Sequence, residues 1–165
     1  MGLDPPCLLE PHVQRIMIIG GSGSGKSTLA WAIGGLTGLP VVHIDPMYWA
    51  PGWVARPPEQ TRALSLAAAA GQAWVFEGNN TETMDARAER ADLIIFLDIS
   101  RGVRLCAVIG RSLRHFGRTR PDMSEGCPER FDFGFMREFV WSYDRRSRPR
   151  WRFWGAGTAS VTSFT

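Results

Sequence analysis

The sequence predicts an α/β fold, a parallel sheet flanked by helices, on three observations. Short apolar runs recur along the chain, helical periodicity or helix-favouring composition fills the intervals, and the runs are apolar throughout, as in strands covered on both faces. The 165 residues suit one domain with a sizeable core. We take residues 1–13, with Asp4, Glu10 and three prolines, as a flexible extension and 14–165 as a single domain.

Arg15–Ile19 is the first strand and ends at Gly20. A helix from Ser27 to about Leu36 follows, closed by Gly34, Gly35 and Gly38. Pro40–Ile44 is the second strand, and Pro57–Gly71, opened by proline and rich in alanine, is a helix. Ala73–Glu77 is the third strand, Thr81–Arg90 a short polar helix or loop, and Asp92–Asp98 (DLIIFLD) the clearest strand of all. Ser100 can cap a helix in which Val103, Cys106, Ile109, Leu113 and Phe116 recur at helical steps. That stripe predicts the core-facing side, with Arg104, Arg111 and Arg114 off it. Gly117–Arg130, with two glycines, two prolines and no periodicity, reads as a mobile loop. Phe133, Met136, Val140 and Tyr143 mark another helix, and Gly157–Phe164 is the candidate for a last strand.

Composition narrows the function classes. Apolar residues are 44% and charged residues 21%, so the chain is globular rather than disordered. No apolar run approaches the length of a membrane span and no basic-then-apolar leader opens the chain, which predicts a cytoplasmic protein without a membrane partner. Cys7, Cys106 and Cys127 share no metal or redox spacing and read as reduced thiols; His43 and His115 are isolated and read as structural. Charge is uneven: residues 101–152 hold 13 arginines against 6 acids. Such a cluster suits nucleic acid or a polyanionic small molecule. Of 19 basic residues, only Lys26 is lysine.

That lysine stands in Gly20-Gly21-Ser22-Gly23-Ser24-Gly25-Lys26-Ser27, a G-x-x-x-x-G-K-[ST] run between a strand and a helix. Glycines let successive N–H groups turn inward as an anion nest, the helix N-terminus adds partial positive charge, Lys26 reaches the β- and γ-phosphates, and Ser27 can hold Mg2+. The motif predicts a P-loop NTPase fold binding ATP and Mg2+ through Gly20–Thr28. A G-x-G-x-x-G fingerprint cannot be laid over residues 20–28. GTPases that read guanine with N-K-x-D need a second lysine, which is absent. Hydrolytic ATPases commonly place Glu after the strand-ending Asp, whereas Asp98 is followed by Ile99. Phosphoryl transfer to an acceptor remains, with arginines on a closing lid.

The runs RIMIIGGSGSGKSTLA, HIDPMYWAPGW, ADLIIFLD and GRTRPDMSEGCPERFDFGFM resemble the DNA topology modulation protein family, a bacterial group of small adenylate-kinase-like P-loop proteins. The likeness spans roughly residues 14–150, and the R-P-D-M-x-E-G-C-P-E-R run is its most specific part. It implies a nucleoside-monophosphate-kinase-like fold with an arginine-rich lid, about 111–131, and ATP binding. Glu77 stands where the group usually carries Asp, Asn80 where it carries an aromatic, and Trp151–Thr165 is unlike the group.

Further candidates sit at strand ends, where ligands bind in open α/β sheets. Asp45 is a candidate general base, acceptor contact or second-shell partner of Mg2+, and Asp45-Pro46 also suits an Asx turn. Glu77 and Asn79 are candidates for hydrogen-bonding the acceptor, and Asp98 occupies the Walker-B position for Mg2+ through water. Arg87 and Arg90 precede that strand, a region where arginines of adenylate-kinase-like proteins contact the acceptor; Arg87 is carried forward. Arg111, Arg114, Arg118 and Arg120 are the candidate phosphate clamp, with Arg111 and Arg114 on the nucleotide and Arg118 and Arg120 on the transferred group. Tyr48, Trp49 and Trp53 wall an acceptor pocket or pack on the core. The expected function is ATP-dependent phosphoryl transfer to an unidentified small molecule or nucleotide. The alternative is a nucleotide-binding regulator that meets DNA through the basic segment, though no base-reading motif supports it.

Overall fold

The computed structural model describes residues 12–130, Gly134, Arg137, Val140 and Ser160–Phe164. In order these are β1 (Arg15–Gly20), α1 (Lys26–Thr37), β2 (Val41–His43), α2 (Asp45–Tyr48), β3 (Trp49–Ala50), β4 (Val54–Ala55), α3 (Pro58–Ala69), β5 (Trp74–Glu77), α4 (Met84–Arg90), β6 (Leu93–Leu97), α5 (Arg101–His115) and β7 (Ser160–Phe164). Five strands form one parallel sheet in the order β2-β5-β1-β6-β7. Central β1 alternates its side chains between two cores. Met17 and Ile19 join Trp74, Phe76, Met84 and Ile94 on the α3/α4 side, while Ile16 and Ile18 join Ala30, Val75, Ile95 and Leu97 on the α1 side. Burial on both faces is why the strand segments carry no polar alternation.

Two side chains fasten the frame. Arg90 donates from Nε to Ala69 O at 2.7 Å and from a terminal nitrogen to Ala70 O at 3.1 Å, satisfying orphan carbonyls at the end of α3. Asp92 Oδ2 accepts from the backbone N–H of Gln14 at 3.0 Å and of Arg15 at 2.8 Å, and its Oδ1 meets the Arg15 guanidinium at 2.6 Å, tying the starts of β1 and β6. The Arg15 hydrogen bond holds the Asp92 pKa below its ordinary value. The resulting stability is present above the ordinary carboxylate pKa of about 3.9 and is lost as pH falls through the lower folded value. Asp92→Ala should therefore lose about 1–2 kcal/mol in urea unfolding at neutral pH, a difference that shrinks in acid.

Expected and observed elements differ in three places. The first is α5, whose stripe faces the other way: Val103, Leu113 and Phe116 are exposed, as is Cys106, and the buried positions are Arg104, Val108 and Ser112. Its inward face meets the glycine loop and a buried carboxylate, so polar partners rather than apolar area set the rotation of the helix. The second is the hairpin β3–β4 with the single-turn α2 before it, elements the sequence pattern does not announce. The third is Gly117–Arg130. In place of a free loop it is stapled to itself by short bridges, Phe116 with Glu129 and Thr119 with Pro128, and to the hairpin. Gly52 N–H donates to Gly126 O at 3.0 Å, Cys127 Sγ bridges Ala50 O and Trp53 N–H at 3.4 Å each, Trp53 Nε1 donates to Pro128 O at 3.0 Å, and Ser124 Oγ donates to Trp49 O. Trp53 holds φ at 61°, a left-handed conformation rare for a bulky residue, and these contacts fix it there.

Of the helix expected over Phe133–Tyr143, Gly134, Arg137 and Val140 are described, and Val140 is fully buried. Residues 1–11, Phe133, Met136, Tyr143 and the tail over 151–159 lie outside the described residues. β7 does form at the place expected for the last strand, parallel to β6 with Leu93 beside Ser160. No helix among the described residues is long and apolar enough to cross a membrane.

Candidate active site

The ends of β1, β2, β5 and β6 converge on one crevice. After Gly20 the chain turns sharply: Ser24 N–H returns to Gly21 O at 3.1 Å, and Gly25, in the left-handed region, opens α1. At Gly23, with φ at 81°, glycine is required by space as well as torsion. A Cβ on Gly21 would strike the guanidinium of Arg104 and one on Gly23 the Arg104 carbonyl, because α5 lies directly over the loop. Lys26 Nζ folds back to donate to Gly21 O at 3.0 Å. Burial lowers its pKa and Arg111 and Arg104 lower it further, while Glu77 and Asp45 oppose the shift. Ser22 and Ser24 are half-buried on the loop, Ser24 Oγ is buried with no protein partner among the described residues, and Thr28 is exposed on the first turn of α1. The loop thus presents glycine backbone, one ammonium and an orphaned hydroxyl at a helix start, which fits an anionic phosphate chain.

Glu77 is the buried hub beside this loop. Its Oε1 accepts from Ser27 Oγ at 3.2 Å and lies 2.7 Å from His43 Nδ1, and the His43 ring packs on Trp31 with centroids 5.2 Å apart. With its proton directed at Glu77, the Ser27 oxygen keeps its lone pairs for a cation, so the donor set fits Mg2+ bound through Ser27. Asp98, half-buried just past β6, is the second acid at the sheet end. His43 stood outside the candidates, yet β2 pairs it with Glu77 in parallel register, and that pairing is the signal that places both at the loop.

Two of the residues expected on the acceptor hydrogen-bond the backbone around the loop and β5. Asn79 clasps Gly20 at both ends, its Nδ2 donating to Gly20 O at 2.6 Å and its Oδ1 accepting from Gly20 N–H at 3.3 Å. Arg87 is fully buried, donates to Gly78 O at 3.0 Å and Asn80 O at 3.2 Å, and lies 4.8 Å from the centre of the Phe76 ring. Burial lowers its pKa to about 10. Arg87→Met should cost about 2–4 kcal/mol in denaturant unfolding by orphaning those carbonyls, whereas an acceptor contact would appear as a raised KM in a protein of unchanged stability.

Asp45 opens α2 just past the end of β2 and is exposed. Desolvation raises its pKa, Glu77 and Asp122 add to the rise, and Lys26 and Arg120 oppose it. The arginines of α5 and residues 117–130 that interact electrostatically with it are Arg111 and Arg120. Arg120 donates from Nε to Glu129 Oε2 and pairs through NH1 with Asp122, both at 2.7 Å; Arg111 Nε is 3.4 Å from Glu129 Oε1, and Ser112 Oγ donates to the same oxygen at 2.9 Å. Burial pulls the Arg111 pKa down, with Arg120 adding to it. Arg114 and Arg118 are exposed. Arg104, not among the sequence candidates, is 1% exposed and donates from Nε to Ile99 O at 3.0 Å beside the loop. Arg104, Arg111 and Arg120 thus turn inward, while Arg145, Arg146, Arg148 and Arg150 lie outside the described residues. Tyr48, Trp49 and Trp53 pack edge to face at 4.7 and 5.4 Å, forming a wall of the hairpin.

No family model and no curated protein matches this chain, and neither comparison supports the likeness to DNA topology modulation proteins. Solved structures do match. A shikimate kinase from Acinetobacter baumannii, in complex with shikimate, superposes with a TM-score of 0.59 at 13% identity over 93% of this chain and 83% of its own. A gluconokinase from Sinorhizobium meliloti 1021 does so with a TM-score of 0.52 at 20% identity, over 93% and 84%. The five-stranded parallel sheet, the glycine loop after its central strand and these two likenesses give the chain the fold of the small P-loop kinases.

Proposed function

We propose that the protein is an ATP-dependent phosphotransferase acting on a small hydroxylated acceptor. The observation that carries this reading is the glycine loop after the central strand, where Lys26 Nζ donates to Gly21 O at 3.0 Å and Ser27 Oγ donates to the buried Glu77. Lys26 and the Gly20–Ser27 backbone would bind the β- and γ-phosphates, Ser27 and Asp98 would hold Mg2+, and Arg104 packs against the loop. Bound Mg2+ supplies charge neutralisation on the phosphates. Asp45 accepts the proton of the acceptor hydroxyl as that oxygen meets the γ-phosphorus, and its raised basicity suits the task. Arg111 and Arg120, oriented by Glu129, stabilise charge on the transferred group. The lid excludes water, so the acceptor rather than solvent is phosphorylated. The test is transfer from γ-labelled ATP across a panel of hydroxyl compounds, with Lys26→Ala as the control. Transfer that survives in the control, or ATP turnover without any acceptor dependence, contradicts the reading.

A further inference from the structure

His43 has no part in the kinase reading above, yet it sits one side chain away from the hydroxyl that would meet the cation. It ends β2, at the edge of the sheet, after Val41 and Val42. Parallel register sets it beside Glu77, so the two side chains leave the sheet on one face. Both are nearly buried, at 9% and 4% side-chain exposure, with His43 Nδ1 2.7 Å from Glu77 Oε1. The same oxygen accepts from Ser27 Oγ at 3.2 Å. From α1, Trp31 packs on the imidazole at a tilt of 42°. Two donors from two elements therefore meet on one carboxylate oxygen.

The pairing decides which ring nitrogen carries a proton. A carboxylate offers lone pairs alone, so Nδ1 donates, and in the neutral ring Nε2 is the bare acceptor. Nε2 is buried and has no hydrogen-bond partner among the described residues. That arrangement costs stability, for leucine would fill the space against Trp31 without an orphaned nitrogen. What leucine cannot supply is a second donor on Oε1. Held by Ser27 alone, the carboxylate can swing about its soft terminal torsion; held also from β2, it keeps one orientation. The Ser27 proton then stays on Glu77 and its lone pairs stay free for a cation. We infer that His43 is a positioning residue for the metal: acting through Glu77, it orients the Ser27 hydroxyl toward the ion that accompanies ATP. The inference rests on the kinase reading. Groups that orient a metal's ligands in this way typically contribute about 10- to 100-fold in metal affinity or activity.

The experiment reads metal binding without turnover, using Mn2+ as the probe and a non-hydrolysable ATP analogue, followed by electron paramagnetic resonance. His43→Leu should weaken Mn2+ in the nucleotide complex about tenfold or more and lower kcat comparably, while the acceptor KM stays within about twofold. His43→Asn, whose amide nitrogen stands near the place of Nδ1, should restore Mn2+ affinity to within about threefold of wild type. Nitrogen-15 NMR of the unmutated protein gives a reading that needs no variant to fold, and the chain has only three histidines to resolve. The ring in contact with Trp31 should carry its proton on Nδ1, and that signal should shift when Mg2+ joins the protein already holding the analogue. A bare Nδ1, or a signal indifferent to Mg2+, overturns the inference. So does wild-type Mn2+ affinity in folded His43→Leu, or a folded His43→Asn as weak as His43→Leu; each of these leaves the kinase reading standing. Should His43→Leu not fold, the NMR reading decides alone. A wild-type protein that binds no Mn2+ with the analogue, or a Lys26→Ala variant that still transfers phosphate, overturns the kinase reading and the inference with it.

Discussion

Replacing Lys26 by alanine is expected to abolish detectable phosphoryl transfer and to weaken ATP binding. The chain has one lysine, and its ammonium already rests on Gly21 O within the glycine loop, poised where the phosphates would lie. Losing a charge-assisted donor at such a site typically costs about 2–4 kcal/mol of transition-state stabilisation. Lys26→Arg should not restore activity, because a planar guanidinium cannot occupy the space of a compact ammonium beneath Arg104 and the loop backbone. Titration calorimetry with ATP and Mg2+ reads the binding half of the expectation, and labelled ATP reads the transfer. Unchanged affinity together with unchanged turnover would reject the loop as the nucleotide site. Acylating reagents give a second reading, since beyond the N-terminus a single amine should react and nucleotide should shield it.

Asp45→Asn should separate chemistry from binding. The amide keeps the shape of the carboxyl but cannot take a proton, so kcat should drop by about 100- to 10,000-fold while the KM for ATP stays near its wild-type value. The pH profile carries the same information with a definite sign. The carboxyl acts as base only when ionised, and its pKa is raised by desolvation and by Glu77. The wild-type rate should therefore fall as pH drops through a value above the ordinary carboxylate range of about 3.9, and bound triphosphate should move that limb higher still. The residual activity of Asp45→Asn should lack the limb. A variant that retains it, or keeps the wild-type kcat, removes Asp45 from the reaction.

What the sequence disclosed was local and what it concealed was long-range. The strand, glycine loop and helix over 15–37 follow from glycine spacing and one lysine within a single window, and the apolar run over 93–97 could hardly be anything but a buried strand. The rotation of α5 was hidden because periodicity counts apolar residues, and this helix turns Arg104 and Ser112 inward to partners that chain order does not reveal. The same holds for Asn79 and Arg87. Both were legible as polar residues at a strand end, but their partners are backbone atoms of Gly20, Gly78 and Asn80, which no side-chain pattern announces. The order of residues 117–130 was invisible for a related reason. Its ties reach the hairpin more than seventy positions away, through a thiol, an indole and a hydroxyl.

Those ties join residues 117–130 to the hairpin Trp49–Ala55. Trp53, in its left-handed conformation, is the rivet: indole and amide both engage residues 127–128, and Arg130 lies 5.1 Å above the ring. In the proposed kinase reading, a displacement of residues 117–130 toward a bound triphosphate would carry Trp49–Ala55 with it, and nucleotide and acceptor binding would share a single conformational coordinate. Thermodynamic reciprocity then applies: whatever factor the nucleotide contributes to acceptor affinity, the acceptor returns to nucleotide affinity, and cutting the rivet would uncouple both by the same amount.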